Sequence, residues 1–199
     1  MATAINLVAP VTQDRRVPVI PSPVIATIIL VLTEIMYFSG LISAYNVIRA
    51  QLFGAWAPPG DIRLPIAATA FNTAILLISG ALMCFAAHFY ARPETRKRAP
   101  ALFLQAILLG AFFVCFQGYE WVKLIGYGMT LQSSIFASVF FLLIGSHAVH
   151  VLVGVLAMLF CYLQMRRGRL SPGAMRAMQV FWLFVVGIWP ILYRLVYFS

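Results

Sequence analysis

The stretch VFFLLIGSHAVHVLVGVLAMLF, residues Val139–Phe160, contains no Asp, Glu, Lys or Arg, yet two histidines, His147 and His150, lie near its centre. An apolar run of this length covers the roughly 20 residues that an α-helix needs to cross the hydrocarbon of a bilayer. Ionisable residues inside such a span are energetically costly and by default mark a functional site. The stretch therefore predicts a membrane-spanning helix with a polar feature at its middle.

The composition of the whole chain is that of an integral membrane protein. Of the 199 residues, 63% are hydrophobic and 10% are charged, whereas about 25% of the residues in a typical soluble domain are charged. The apolar runs do not alternate as the strands of a membrane β-barrel do, and helices satisfy all backbone groups inside the bilayer. We therefore predict an all-α membrane protein with five transmembrane helices in one bundle. The predicted spans are about Val24–Val47, Leu64–His88, Ala101–Ile125, Ser133–Leu163 and Val180–Phe198.

The basic residues predict the orientation of the bundle, because short loops rich in Lys and Arg remain in the cytoplasm. The side of the N-terminus carries Arg15, Arg16, Arg92, Arg96, Lys97, Arg98, Arg166, Arg167, Arg169 and Arg176, whereas the other side carries Arg49, Arg63, Lys123 and Arg194. We expect a cytoplasmic N-terminal segment over 1–23, which lacks the hydrophobic core of a signal peptide, and a membrane domain over 24–199 with an exoplasmic C-terminus. The basic excess also suits anionic lipid headgroups, and it makes a nucleic-acid partner improbable.

Glu34 is a second ionisable residue at mid-membrane depth. It lies about ten residues into its apolar run, roughly 15 Å at the helical rise, and His147 and His150 lie at a similar depth in the fourth span. A carboxylate at that depth must be paired or protonated, so we expect a hydrogen bond from Glu34 to one of the two rings, with His150 favoured and the other ring facing a neighbouring helix or a lipid headgroup water. The small residues Gly145, Ser146 and Ala148 are expected to let the first and fourth helices approach closely enough for this contact. A structural clamp between helices, a proton relay, and metal or haem ligation remain open as interpretations; companion ligands for a metal are not evident.

Two further polar positions lie nearer the membrane boundaries. Glu120 is three residues before Lys123, the spacing of a same-face ion pair near the exoplasmic end of the third helix. His88 ends the second span and is expected at the interface. The three cysteines, Cys84, Cys115 and Cys161, have no paired spacing. No phosphate loop, catalytic triad or metal-binding cysteine pair is present, so catalysis by this chain alone is not predicted.

Five motifs in order resemble subunit III of the haem-copper terminal oxidases, the cytochrome c oxidase subunit 3 family, in its short five-helix form. They are TEIMYFSGLISAY with Glu34, WAPPG followed by LP, FNTAILLISGALMCFAAH ending at His88, LGAFFVCFQGYEW with Gln117 and Glu120, and LIGSHAVHVLVGV with His147 and His150. The resemblance makes Gln117 and Glu120 an outer-leaflet polar site. The ending FWLFVVGIW departs from the family pattern, because Leu183 and Val186 stand where members have His and Asp.

The resemblance implies an accessory subunit of a respiratory oxidase in the inner (plasma) membrane, without haem or copper of its own. Haem and copper are expected in partner subunits. The implied partners are subunit I above all, subunits II and IV, structural phospholipids held in a cleft, and a respiratory supercomplex. The implied roles are support of proton uptake, protection of the oxidase and a lipid route for oxygen. Two alternatives remain, namely a subunit III-like partner of a quinol oxidase or nitric oxide reductase, and a small proton-coupled transporter.

Overall fold

The structure is a computed structural model that describes residues 21–52, Trp56 and 65–198. Within these residues all regular structure is helical, and five helices are long and apolar enough to cross a membrane. They are α1 (Ser22–Gln51), α2 (Ile66–Ala91), α3 (Ala99–Gly126), α4 (Ile135–Arg166) and α5 (Pro172–Tyr197), with one short 3₁₀ turn at Arg96–Arg98. The prediction of five membrane-spanning helices is confirmed. Most of the predicted N-terminal segment and all of the WAPPG loop except Trp56 lie outside the described residues.

The start of α5 differs from the prediction, since the helix begins at Pro172 rather than near Val180. Ser171 caps it by accepting a hydrogen bond from the backbone N–H of Ala174 at 3.1 Å, and Pro172 occupies a first-turn position that needs no N–H donor. The prediction was late because it relied on hydropathy, which identifies only the apolar part of this helix. The first turns, which include Arg176, are more polar and precede that part.

The central helix of the bundle is α5, which packs against α1, α2 and α4. Its two indoles, Trp182 and Trp189, are completely buried. The helices α2 and α3 form a closely packed hairpin. By contrast, α1 lies along α5 and meets α4 only narrowly, and Phe38 and Tyr45 are its only buried residues. Most of α1 therefore presents apolar side chains to lipid or to a neighbouring protein.

Hydrogen bonds at both ends of the bundle show how the helices alternate in direction. Tyr90 near the end of α2 donates to the carbonyl of Leu170, just before α5, at 2.6 Å. At the other end, Tyr193 donates to the carbonyl of Ile66 at 2.9 Å. The first of these ends holds most of the described basic residues: Arg92, Arg96, Lys97, Arg98, Arg166, Arg167, Arg169 and Arg176. The charge asymmetry therefore separates two ends of one bundle; its direction across the membrane stays a prediction.

Candidate functional site

Glu34 and His150 meet between α1 and α4. The Oε2 atom of Glu34 lies 2.8 Å from the Nε2 atom of His150, and both residues stand near the middle of their helices. Phe38, one turn further along α1, packs with its ring edge-on against the imidazole at 5.1 Å between centroids. The hydrogen bond expected from depth alone is thus present, and His150 is the ring that makes it.

A second hydrogen bond determines which protons the pair carries. The Nδ1 atom of His150 lies 2.7 Å from the backbone carbonyl of Ser146. A carbonyl can only accept, so Nδ1 carries a hydrogen in this geometry. One further proton then lies between Nε2 and Oε2, either on the ring, giving an imidazolium and a carboxylate, or on the glutamate, giving two neutral groups. The pair is electrically neutral in both forms, which suits a membrane interior.

The pair reaches the lateral surface of the bundle. The side chains of His150 and Glu34 are 19% and 20% exposed. Beside them, the hydroxyls of Tyr37 on α1 and Ser146 on α4 lie 2.9 Å apart and form a second polar link between the same two helices. The site is therefore a small polar seam that holds α1 to α4 and opens toward lipid or a neighbouring subunit.

His147 does not join this seam. It is completely buried, and its ring stacks on Trp189 at 4.9 Å between centroids. Neither ring nitrogen has a hydrogen-bond partner within the described residues. Three residues turn an α-helix by about 300°, so the two histidines diverge by about 60°. That difference is enough to put one ring in the core and the other at the edge, so of the two histidines grouped with Glu34 only His150 contacts it, and His147 faces the neighbouring helix α5.

The small residues beside the histidines also have another role than expected. Gly145, Ser146 and Ala148 were predicted to let α1 and α4 approach closely. Ser146 does face α1, but Gly145 and Ala148 line an apolar groove between α3 and α4 together with Trp121. The prediction is wrong for these two residues, because the periodicity of a single helix does not say which neighbour each face meets.

Gln117 belongs to a buried polar network that joins three helices. Its side-chain carbonyl accepts from Asn72 Nδ2 at 3.3 Å, and its amide donates to the Tyr197 hydroxyl at 3.5 Å. Asn72 also donates to the backbone carbonyl of Phe113 at 3.2 Å. Sequence reasoning missed the contribution of α2. The signal was available as Thr69, Asn72 and Thr73, three polar residues at helical spacing within an apolar run.

Glu120 and His88 lie toward opposite ends of the bundle, near the ends of α3 and α2. Glu120 is buried and accepts from Lys123 Nζ at 3.1 Å, and Lys123 also lies over the ring of Tyr119 at 4.2 Å. The expected same-face ion pair is therefore present. His88 is exposed in the last turn of α2, beside Phe89.

No group of three or more His, Cys, Asp or Glu side chains that could hold a metal ion occurs within 21–52, 56 and 65–198. The histidines of α4 illustrate the reason. His150 uses both ring nitrogens in hydrogen bonds, and His147 is enclosed by aromatic rings. Glu34 is the group of this kind that His150 contacts, and two side chains do not complete a metal site.

Comparison with known proteins gives a consistent result. The model of the family described as cytochrome c oxidase subunit III matches residues 15–199. The chain is 32% identical over 177 residues to a probable cytochrome c oxidase subunit 3 of Mycobacterium leprae, covering 87% of this chain and 86% of that one. It is 34% identical over 178 residues to the probable subunit 3 of Nocardia farcinica, with the same coverage. It is 32% identical over 178 residues to the subunit 3 of Drosophila melanogaster, covering 85% of this chain and 66% of the fly protein.

Proposed function

This chain belongs to the cytochrome c oxidase subunit III family, and from that premise we propose that it packs against subunit I and stabilises it without redox chemistry of its own. It is a multi-pass membrane protein and an accessory subunit within a haem-copper oxidase complex. The finer placement is part of the proposal: the inner (plasma) membrane, subunits II and IV as further neighbours, and membership of a respiratory supercomplex.

The hydrogen bond between Glu34 and His150 supports this proposal most directly. The helix α1 has little buried surface and depends on α5 and on two polar links to α4 for its position. Hydrogen bonds between membrane helices contribute about 1 kcal/mol each. The pair therefore acts as a clamp that keeps α1 in register, and a subunit that holds its outermost helix in place offers subunit I a constant surface.

The protons of the pair support the finer proposal that the subunit assists proton uptake. A single proton lies between two heteroatoms 2.8 Å apart, and the exposed edge of the pair lets a neighbouring chain or a water exchange with it. Lipid binding and an oxygen route along the apolar grooves belong to the same proposal. The assignment of haem and copper to partner subunits is also part of this proposal.

Substitution of Glu34 tests the clamp. We expect Glu34→Ala to weaken retention of this subunit in the purified oxidase about five-fold, which corresponds to the loss of about 1 kcal/mol, and to shorten the working life of the enzyme. Initial oxygen reduction should largely persist. Glu34→Gln keeps a neutral hydrogen-bonding group of the same size, so it should retain the subunit while losing the shared proton.

The control is Glu94→Ala, which removes an exposed carboxylate from the turn between α2 and α3. It should match the wild type in subunit content, measured against haem absorbance, and in the decay of activity during turnover. Loss of initial turnover in a Glu34→Ala complex that still holds every subunit would make Glu34 catalytic and reject the clamp. Equal loss of retention in Glu34→Ala and Glu34→Gln would show that the clamp needs the carboxyl group itself, and not only a hydrogen-bonding side chain of that size.

A further inference from the structure

One strip of α5 is exposed, although α5 is the central helix of the bundle. Its residues recur at helical spacing and therefore share one face: Leu183, Gly187, Ile191, Arg194 and Phe198. Ile191 and Phe198 are 55% and 63% exposed. A Cβ atom at Gly187 would meet nothing within 4 Å, so this outward strip is open to the close approach of another membrane helix.

The C-terminal end of the outward strip forms a groove with α1 that contains two arginines. Arg194 and Arg49 of α1 both line it, its other walls are apolar, and it encloses about 810 Å³. Neither guanidinium group makes an ion pair or a hydrogen bond within the described residues. Lys123, at the same end of the bundle, differs because it is paired with Glu120.

The charge of this groove suits one anionic group from outside the chain. Each arginine stands in the last turn of its helix, and two helix C-termini together carry about one negative charge. Two guanidinium groups therefore leave about one positive charge without a described counterpart. A carboxylate has roughly four acceptor sites, enough to receive hydrogen bonds from both guanidinium groups.

Pro190 adds a polar feature deeper in the membrane. Proline has no backbone N–H, so the carbonyl of Val186, four residues earlier, receives no hydrogen bond from that position of the helix. This carbonyl points toward the ring of Pro190, which lines the groove. Within a membrane such a carbonyl is satisfied by a neighbouring helix, a hydroxyl side chain or water. A protein helix can supply a donor there, whereas an acyl chain has none.

We propose that the outward strip docks a transmembrane helix of a neighbouring oxidase subunit, which packs closely at Gly187 and places an Asp or Glu carboxylate between Arg49 and Arg194. The inference rests on the proposed function, because it specifies a surface through which this chain meets its complex. Gly187 lies seven residues from Arg194, about 10 Å at the helical rise. The partner's carboxylate therefore lies about two turns from the closest approach of the two helices.

The first test removes the charges in the intact oxidase complex, purified in mild detergent. The content of this chain is measured against haem absorbance on dilution. Arg49→Gln/Arg194→Gln is compared with Arg167→Gln/Arg169→Gln, whose arginines are exposed at the opposite end of the bundle. Removing one partner of a buried charge pair weakens association about thirty-fold or more. The apparent dissociation constant should rise by that factor in the first variant and stay unchanged in the control.

The second test obstructs the close approach and keeps both charges. A side chain at Gly187 starts in open space, so Gly187→Leu should leave the fold of this subunit unchanged and hold the partner helix away. Gly40→Leu is the matched control, because Gly40 is equally open and lies on the face of α1 opposite Ile42. We expect loss of retention in Gly187→Leu alone. Equal retention of the two leucine variants would contradict the proposal.

A photoreactive residue at Ile191 identifies the partner in the purified complex. The cross-linked peptide should come from a transmembrane segment of another subunit, with an Asp or Glu within about one turn of the cross-link. Arg194→Glu combined with replacement of that acid by arginine should restore the retention that either change alone reduces. Cross-links to lipid alone, or failure of the charge exchange to restore retention, would overturn the proposal.

Two remaining outcomes separate this inference from its premise. If the double arginine variant keeps every subunit but loses bound phosphate, the anion is a lipid headgroup and the docking proposal is wrong. Absence of the wild-type chain from every haem-containing fraction would instead contradict the proposed function. The two failures are distinguishable, because variants are compared only once the wild-type chain is found in the complex.

Discussion

Replacement of Gly154 by alanine should measure how tightly the central helix is held. The indole of Trp182 on α5 is completely buried. It lies against Gly154 of α4 and Gly110 of α3, and its Nε1 atom donates to the hydroxyl of Ser79 on α2 at 3.1 Å. One side chain thus contacts the three helices around it, and any displacement toward one of them is opposed by another.

The magnitude follows from these contacts. A Cβ atom at Gly154 would lie 2.9 Å from a carbon of the Trp182 ring, whereas ordinary contacts begin at 3.4 Å. The ring would have to retreat by about half an ångström, and a Cβ at Gly110 would approach the same ring to 2.8 Å, so little free space exists on that side. Overpacking of a core costs about 1–3 kcal/mol. The gain in helix propensity from Gly to Ala, about 0.5–1 kcal/mol, offsets part of this cost.

Gly145→Ala is the matched control, because it makes the same change in the same helix against another indole. A Cβ at Gly145 would lie 3.6 Å from a ring carbon of Trp121, an ordinary contact. The propensity gain is common to both variants, so their difference isolates the overpacking, about 1–3 kcal/mol. Unfolding of the purified subunit by titration with a denaturing detergent, followed by circular dichroism, would measure it.

The result that would refute this reasoning is equal stability of the two glycine variants. A second test uses the smaller ring of Trp182→Phe. In the Gly154→Ala background this substitution should cost less than it does in the wild type, because it relieves the clash. Additive losses in the double variant would show that the ring is not confined between α3 and α4.

Three further predictions concern orientation, cofactors and the buried network. Reporter fusions should show a periplasm-only reporter active at Ser199 and silent at Met1; periplasmic activity at Met1 would contradict the orientation. Elemental analysis of the isolated subunit should find no stoichiometric metal, and a metal abolished by His147→Ala or His150→Ala would reverse that expectation. Asn72→Ala, which removes the amide that joins α2 to α3, should lower the free energy of unfolding by about 1 kcal/mol; an unchanged denaturation midpoint would argue against the network.

The sequence was sufficient to predict the helices and the depth of their polar residues. Five long apolar runs can be satisfied in a bilayer only as helices. Counting residues along each predicted helix placed Glu34 at the same depth as the two histidines, and a carboxylate at that depth requires a partner. These inferences depend on one helix at a time, which is why they agree with the structure.

The arrangement between helices was not predictable in the same way. Which ring meets Glu34 depends on the rotation of α4 about its axis, and that rotation is set by Trp189, Phe113 and the other aromatic neighbours of His147. The packing of α1 along α5 depends on adjacency as well, since the two helices are far apart in the chain. A membrane helix is apolar on all sides, so its sequence lacks the division into apolar and polar faces that would have indicated which side is buried.

The departure at Leu183 and Val186 can be understood from the packing of α5. Val186 is buried, and a Cβ atom at Gly80 would lie 3.0 Å from its Cγ1 atom, so the branched apolar side chain already fills the space against α2. A carboxylate at that position would be buried without water and would need a partner, for which the His found in family members at the position of Leu183 is suitably spaced. Losing either residue alone would leave the other unpaired at considerable cost, whereas replacing both by apolar residues can be neutral or stabilising. The concerted change removes a polar pair from α5, at the buried position of Val186 and the exposed position of Leu183, and it leaves Glu34 and His150, on a different pair of helices, intact.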